Sequence, residues 1–313
     1  MSPLLFTLYL DGLLKKLKES GIGCHIGRNY CGVFGYADDL AIVSPTTFGL
    51  KQMIAICEDY ANEYSILFNP KKSKLLCYNM FADEMPVIKL CNHVVEVVDN
   101  EVYLGSRIYN DIYTSNIDEY VCDFERRSNH VIHNFAMCDS VTLSRIFSSH
   151  CESFYGCELF NHSKPYMSKL YVSWRKIIRH IFHLHPWTHN YIVANLGNCV
   201  IERLDRRICK FIYKLLHSEN VFVQQVTRHK LFSPTSILAE NYRYLCYKYK
   251  IAHEDWYSNM NFVIKKICMT YTNHQYAFCN TVLELCNIRD GVSFCEFVNI
   301  TDICNMIESL CID

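Results

Sequence analysis

Two adjacent aspartates, Asp38 and Asp39, interrupt an apolar run that reads Val33-Phe34-Gly35-Tyr36-Ala37-Asp38-Asp39-Leu40-Ala41-Ile42-Val43. No other feature restricts the folding of the chain as much. Flanks rich in Val, Phe, Ile and Leu predict two buried strands. Adjacent residues on a straight strand point to opposite faces, so two acids that act together need a tight turn. Small Ala37 leaves room for the backbone to bend there. No Lys or Arg lies closer in sequence than Arg28 and Lys51. A charge is costly to bury unless it is paired or holds a metal. A pair of acids at the tip of an apolar hairpin therefore points to a divalent cation. The plain alternative is an exposed turn in an ordinary hairpin, because Asp favours turns.

The rest of the chain places this hairpin in an α+β pattern. Leu5, Phe6, Tyr9, Leu10, Leu13, Leu14 and Leu17 repeat at helical spacing over residues 4–18, and Lys15, Lys16 and Lys18 suit the C-terminal end of the helix dipole. After the hairpin, Ser44-Pro45-Thr46-Thr47 offers an N-cap, and a second helix is predicted over 48–64. Short strands are expected at Ile66-Leu67-Phe68, Leu75–Tyr78, Val94–Val98 and Tyr103–Ile108, which makes a mostly antiparallel sheet with packed helices. From about residue 116 the alternation fades. Helical periods follow over roughly 116–137, 142–160, 165–184 and 200–217, and the remainder also reads as helical. A seam is expected near 110–116.

Of the 313 residues, half are hydrophobic, enough for a sizeable core, and the formal net charge is -1. Any nucleic-acid binding must then come from local patches, not from overall charge. No apolar stretch reaches the roughly 18 residues of a membrane span, and Met1-Ser2-Pro3 carries no basic region of a secretory signal. The 18 cysteines contain no C-x-x-C pair. That scatter predicts reduced, mostly buried thiols in an intracellular protein, nuclear or cytoplasmic and not secreted.

Alone, Tyr36-Ala37-Asp38-Asp39 is a short motif, but three further blocks accompany it. Ser2-Pro3-Leu4-Leu5-Phe6 precedes the first helix, Phe68-Asn69-Pro70-Lys71-Lys72-Ser73-Lys74 follows the second, and Tyr103-Leu104-Gly105 closes the series. In this order and spacing the blocks resemble the C-terminal half of the palm of reverse transcriptases, closest to those of non-LTR (LINE-like) retrotransposons. The resemblance continues more loosely through Tyr155–Leu159 and Trp174–Arg179, which are similar to thumb and connecting segments. It implies a partial palm over 1–112, a helical thumb-like region over 113–190 and a helical C-terminal or connector region over 191–313.

The resemblance also implies roles. Asp38 and Asp39 match the metal-binding and catalytic acids, which hold Mg²⁺ or Mn²⁺ for nucleotidyl transfer. Lys72, or Lys74, is placed to stabilise or protonate the pyrophosphate leaving group. Tyr36, Ala37, Asn69, Lys71, Lys74, Tyr103, Leu104 and Gly105 fall in the nucleotide and primer region. The implied partners are an RNA template, a DNA primer and a dNTP, with no membrane. The family's third metal-binding aspartate and its fingers lie upstream of the Ser-Pro block, where this chain begins. Asp11 and Glu19, the acids before the hairpin, sit on the first helix and do not match it. The expectation is therefore an N-terminally truncated copy that is inactive by itself. With the neighbouring strand missing, Val33, Phe34, Ile42 and Val43 would line an unpaired edge and favour aggregation.

Between Leu159 and Ile201 there is no Asp or Glu, but Lys164, Lys169, Arg175, Lys176 and Arg179 occur with five histidines and two tryptophans. Such a stripe suits phosphate contacts along a duplex, with Arg175, Lys176 and Arg179 as the contact residues. The competing reading is the charged face of an otherwise apolar helix. His180, His183, His185 and His189 lack a nearby carboxylate or cysteine and do not read as a zinc site. Cys268, Cys279, Cys286, Cys295, Cys304 and Cys311 lack the close pairs of a zinc knuckle and read as apolar helix positions. Besides a polymerase fragment, two functions compete: a non-catalytic nucleic-acid-binding remnant, and a helical interaction protein.

Overall fold

The structure, a computed structural model, describes residues 2–78, 80, 85–111 and 117–270, with side chains from residue 8 onward. Two compact units divide at Ser115/Asn116.

In the first unit, α1 (Ser2–Glu19) leads into two hairpins, β1 (His25–Ile26) with β2 (Asn29–Tyr30) and β3 (Val33–Tyr36) with β4 (Asp39–Ile42). Helix α2 (Thr47–Tyr64) follows. Short strands complete the unit: β5 (Lys74–Leu75), β6 (Lys89–Leu90), β7 (His93–Val94), β8 (Glu96–Val97), β9 (Asn100–Tyr103) and β10 (Ser106–Tyr109). Among the described residues the strands form five two-stranded ladders in place of one sheet; four are antiparallel, and β5 with β8 is parallel.

Packing explains the order. Leu10, Leu13 and Leu17 repeat along one face of α1 and are buried against Met53, Cys57 and Tyr60 of α2. Each such side chain removed from water contributes about 1.5–3 kcal/mol before conformational entropy is charged against it. The other side of α2 packs Leu50 and Ile54 on Ile88, Leu90 and Val95. As expected, Thr46 caps α2: its Oγ1 accepts from Gly49 N at 3.1 Å. Ser65 then ends the helix in a left-handed conformation at φ 54°.

All four of the short-strand expectations change: Leu75–Tyr78 shortens to β5, and Val94–Val98 splits into the ends of β7 and β8 around Val95. Ile66-Leu67-Phe68 joins no ladder; Leu67 is 95% exposed while Phe68 packs against both apolar clusters. Tyr103–Ile108 is not one strand. Leu104 and Gly105 take φ of 49° and 75°, so the chain reverses and pairs Tyr103 with Ser106. Two consecutive positive-φ residues make the tight turn that suits the twist of paired strands, and glycine carries no steric penalty there.

The second unit is helical: α3 (Ile117–Asn134), α4 (Ser140–Cys151), α5 (Ser168–Ile181), α6 (Asn190–Gly197), α7 (Val200–Leu216), α8 (Val221–Leu231) and α9 (Ile237–Tyr249), followed by a helix that begins at residue 260. The helix expected to reach residue 160 stops at Cys151, because Phe154 and Gly156 turn left-handed at φ 46° and 81°. Asp139 caps α4, accepting from Val141 N and Thr142 N at 3.0 Å each.

Two cores share α7. Its N-terminal half contributes Val200 and Leu204 to a cluster with Phe124, Phe147, Trp174 and Ile178. Its C-terminal half contributes Ile208, Cys209, Ile212 and Leu216 to a second cluster with Leu245, Tyr249, Trp256 and Val263. Buried Glu152 joins α4, α5 and α7: it accepts from Trp174 Nε1 and pairs with Arg203. All described cysteines are free thiols. Cys31, Cys57, Cys77, Cys151, Cys157 and Cys209 are buried, whereas Cys91 and Cys122 are exposed. Of the C-terminal cysteines only Cys268, partly buried, lies within the described residues. Among the described residues, no helix is long and apolar enough to cross a membrane.

Candidate active site

The β3–β4 hairpin is built from one side only. Its register pairs Tyr36 with Asp39, Gly35 with Leu40, Phe34 with Ala41 and Val33 with Ile42. Cross-strand partners share a face. Val33, Leu40 and Ile42 therefore face α1 and join its core. Gly35 lets the helix come close, since a Cβ there would stand 3.2 Å from Leu14 Cδ1. On the opposite face lie Phe34, Tyr36, Ala41 and Asp39. Phe34 is 45% and Tyr36 65% exposed.

This corrects the expectation of two buried strands. A two-stranded ladder with a helix on one face leaves the other face open. Asp38 and Asp39 are both exposed, so neither pays a burial cost. What singles them out is their pairing at the tip without a counter-charge: among the described residues neither forms an ion pair with Lys or Arg. The turn itself is Ala37-Asp38, with Ala37 held at φ 51°. An alanine in this left-handed region is strained by its Cβ.

Tyr103 leads into the β9–β10 turn. Burial pushes the Tyr103 phenol above its usual range, and the nearby Asp39 carboxylate adds to the shift. Tyr36, Ala37, Asp38 and Asp39 share the β3–β4 hairpin, while Tyr103, Leu104 and Gly105 form the turn of a separate one. The Leu104-Gly105 pair between apolar alternations was the available signal for a hairpin.

The lysine loop is shaped by Asn69. Its carbonyl accepts from Lys72 N and Ser73 N at 3.1 Å each, and its Oδ1 accepts from Lys71 N at 3.1 Å. This closes the loop and leaves Lys71 and Lys72 exposed. Lys74 is different. It lies in β5 opposite Glu96 of β8 and pairs with that carboxylate, a partner with no local sequence signal.

Residues 1–117 match the family model for reverse transcriptase (RNA-dependent DNA polymerase). No curated protein and no solved structure matches the chain. The stretch that matches the reverse transcriptase family contains the hairpin, the lysine loop and the Tyr103 turn.

The donors at the tip suit the divalent ions that such polymerases use. Two exposed carboxylates offer hard oxygens, and Mg²⁺ commonly takes one or two protein carboxylates alongside water and phosphate oxygens. Among the described residues no group of three His, Cys, Asp or Glu side chains is placed to hold a metal.

Outside the stretch that matches the reverse transcriptase family, two cations of the basic stripe, Lys164 and Lys169, are paired with distant acids. Lys169 pairs with Asp118 at 2.6 Å and Lys164 with Glu240 at 3.1 Å. Arg179 is spent on structure, donating to Thr188 O and Asn190 Oδ1 at 2.8 Å each. Arg175 is half-buried, and both burial and the neighbouring Arg179 disfavour its charge. Lys176 points to solvent. His180, His183, His185 and His189 are exposed, and His185 and His189 accept local backbone N–H groups.

Proposed function

We propose that the chain carries part of a non-LTR retrotransposon reverse transcriptase, with Asp38 and Asp39 as two of the carboxylates that hold Mg²⁺ or Mn²⁺ for nucleotidyl transfer. One observation carries the reading. Within the segment that matches the reverse transcriptase family, two uncompensated carboxylates stand side by side at the tip of the β3–β4 hairpin.

Bound there, divalent ions would stabilise the charge on the attacking and leaving oxygens of an in-line phosphoryl displacement. The chain's own residues set the geometry. The Ala37-Asp38 turn brings adjacent carboxylates to one tip, which a straight strand cannot do. Tyr36 offers an exposed ring beside Asp39 for contact with a sugar or base. Lys72, freed by the closed Asn69 loop, supplies a cation for the pyrophosphate, and Lys71 a second one. Lys74 is assigned a lesser part because Glu96 already neutralises it. The Tyr103-Leu104-Gly105 turn positions the primer end. In this reading residues 1–112 carry palm elements, 113–190 a thumb-like region and 191–313 a connector. The partners are an RNA template, a DNA primer and a dNTP, in the nucleus or cytoplasm.

The tip lacks a third ligand among the described residues. We therefore expect the 313-residue chain by itself to bind Mn²⁺ weakly and to incorporate no dNTP. Electron paramagnetic resonance of Mn²⁺ would show weak binding that is lost in the Asp38→Asn/Asp39→Asn double variant. Equal Mn²⁺ binding by the variant would remove the metal assignment. Primer extension with Mg²⁺ or Mn²⁺ that is abolished by Asp38→Ala would overturn the expected inactivity.

A second reading, a helical duplex-binding remnant without catalysis, is favoured by Arg175 and Lys176, which lack acidic partners among the described residues. It predicts duplex affinity that falls steeply with salt and is unchanged by Asp38→Asn.

A further inference from the structure

The end of α7 carries a strip of aromatic rings that the proposed reaction does not use. Tyr213 and His217, one turn apart, stack with centroids at 4.0 Å and planes 16° apart. Tyr257 lies against His217 at 6.3 Å, and His253 stands edge-on to Tyr257 at 5.3 Å. Tyr242 of α9 continues the strip with a 2.7 Å hydrogen bond to His253 Nδ1.

The strip is held firmly from beneath. Tyr213 Oη donates to Ser258 O at 2.7 Å, and His217 Nδ1 donates to Tyr213 O at 2.9 Å. Trp256, fully buried, packs under Tyr242 at 5.0 Å. The outer rings stay open: His217 and His253 are exposed, and Tyr257 is 50% exposed. Rings fixed by backbone hydrogen bonds lose little freedom when something stacks on them.

On the α7 side, the strip is lined by cations. Lys210, Lys214 and His217 follow one face of α7 at i, i+4 and i+7, all exposed. From Arg206 to Leu216 the helix contains no acid. Its two earlier acids are already engaged, Glu202 with Arg206 and Asp205 with Lys248. Glu219 follows His217 by two residues, and Glu254 and Asp255 lie between His253 and Tyr257, where Asp255 is already paired with Lys266.

Exposed ring faces beside a line of cations match the chemistry of an unpaired polynucleotide, whose bases stack and whose phosphates need positive charge. A duplex hides its base faces and would meet only the lysines. We propose that Tyr213, His217, His253 and Tyr257 form a stacking site for single-stranded nucleic acid, with Lys210 and Lys214 along its phosphates. This rests on the nucleic-acid reading above but assigns a separate site in the helical unit.

The test is fluorescence anisotropy of the full chain with a labelled single-stranded oligouridylate and with an RNA hairpin duplex. His217→Ala/Tyr257→Ala should weaken single-strand binding about tenfold or more and leave duplex binding unchanged. His217→Phe/Tyr257→Phe keeps the ring faces and should restore most of the affinity. Lys210→Gln/Lys214→Gln should weaken both ligands and lower the salt dependence. Unchanged single-strand affinity in the alanine variant, equal loss for both ligands, or no single-strand binding by the wild type would overturn the proposal. The Mn²⁺ titration at Asp38 and Asp39 reports on the polymerase reading separately, because it involves no residue of this strip.

Discussion

Ala37 and His162 show how single residues set local energetics here. Ala37 holds φ 51° at the tip that carries Asp38 and Asp39. A left-handed alanine costs about 1 kcal/mol relative to glycine. Ala37→Gly should therefore leave the melting temperature unchanged or raise it slightly, while loosening the two carboxylates and lowering Mn²⁺ affinity; thermal melts paired with the Mn²⁺ titration would read both. His162 is buried, and its Nε2–H donates to Cys157 O at 2.9 Å. Burial is the largest influence and holds the ring below its usual range, against the Cys157 carbonyl, Asp205 and Glu158. The folded chain then resists a proton that the unfolded chain accepts below about pH 6.5. Stability is fully present above that value and is lost as the pH falls from there towards the lower folded pKa. Denaturant melts between pH 8 and pH 5 should show this slope, and His162→Gln should flatten it. Thiols give no such handle: burial pushes Cys57 and Cys209 up to about 12, which keeps them protonated.

At the scale of elements, the segment after α4 is held to α9 by Asn241, alongside the bonds of Asn161 and Lys164 to Glu240. Asn241 Nδ2 donates to Phe160 O, and its Oδ1 accepts from His162 N, both at 2.8 Å. Asn241 is 1% exposed, so truncation leaves a buried donor and a buried acceptor without partners. Asn241→Ala should cost about 3 kcal/mol in chemical denaturation; a loss below about 0.5 kcal/mol would mean that water replaces the amide. This clip was invisible in the sequence, because its partners are 79 and 81 positions apart. The same holds for Lys74 with Glu96 and for Lys169 with Asp118: a run without acids looked like a free basic stripe until tertiary partners arrived. What could be read was local. The helix periods of α1, α2, α3, α5 and α7 and the Thr46 cap follow from apolar spacing and short-range hydrogen bonding. The Asp38-Asp39 hairpin was legible for the same reason, whereas its one-sided burial was not, since that depends on how many strands pair beside it.

For the whole molecule, the open face of β3 and the cores of the helical unit matter most. Phe34 and Val43 remain 45% and 40% exposed beside Tyr36, a contiguous apolar surface at a sheet edge. Such edges promote association. Phe34→Thr keeps β propensity and should reduce concentration-dependent light scattering of the chain; unchanged scattering would place the association elsewhere. Helix α7 has another consequence. Because its two halves serve different cores, neither core can loosen without disturbing the same backbone. The amides around Leu204 to Ile212 would then exchange with solvent only when both cores open together. This one helix should be the slowest-exchanging stretch of its unit, binding two packing clusters into a single cooperative melting event.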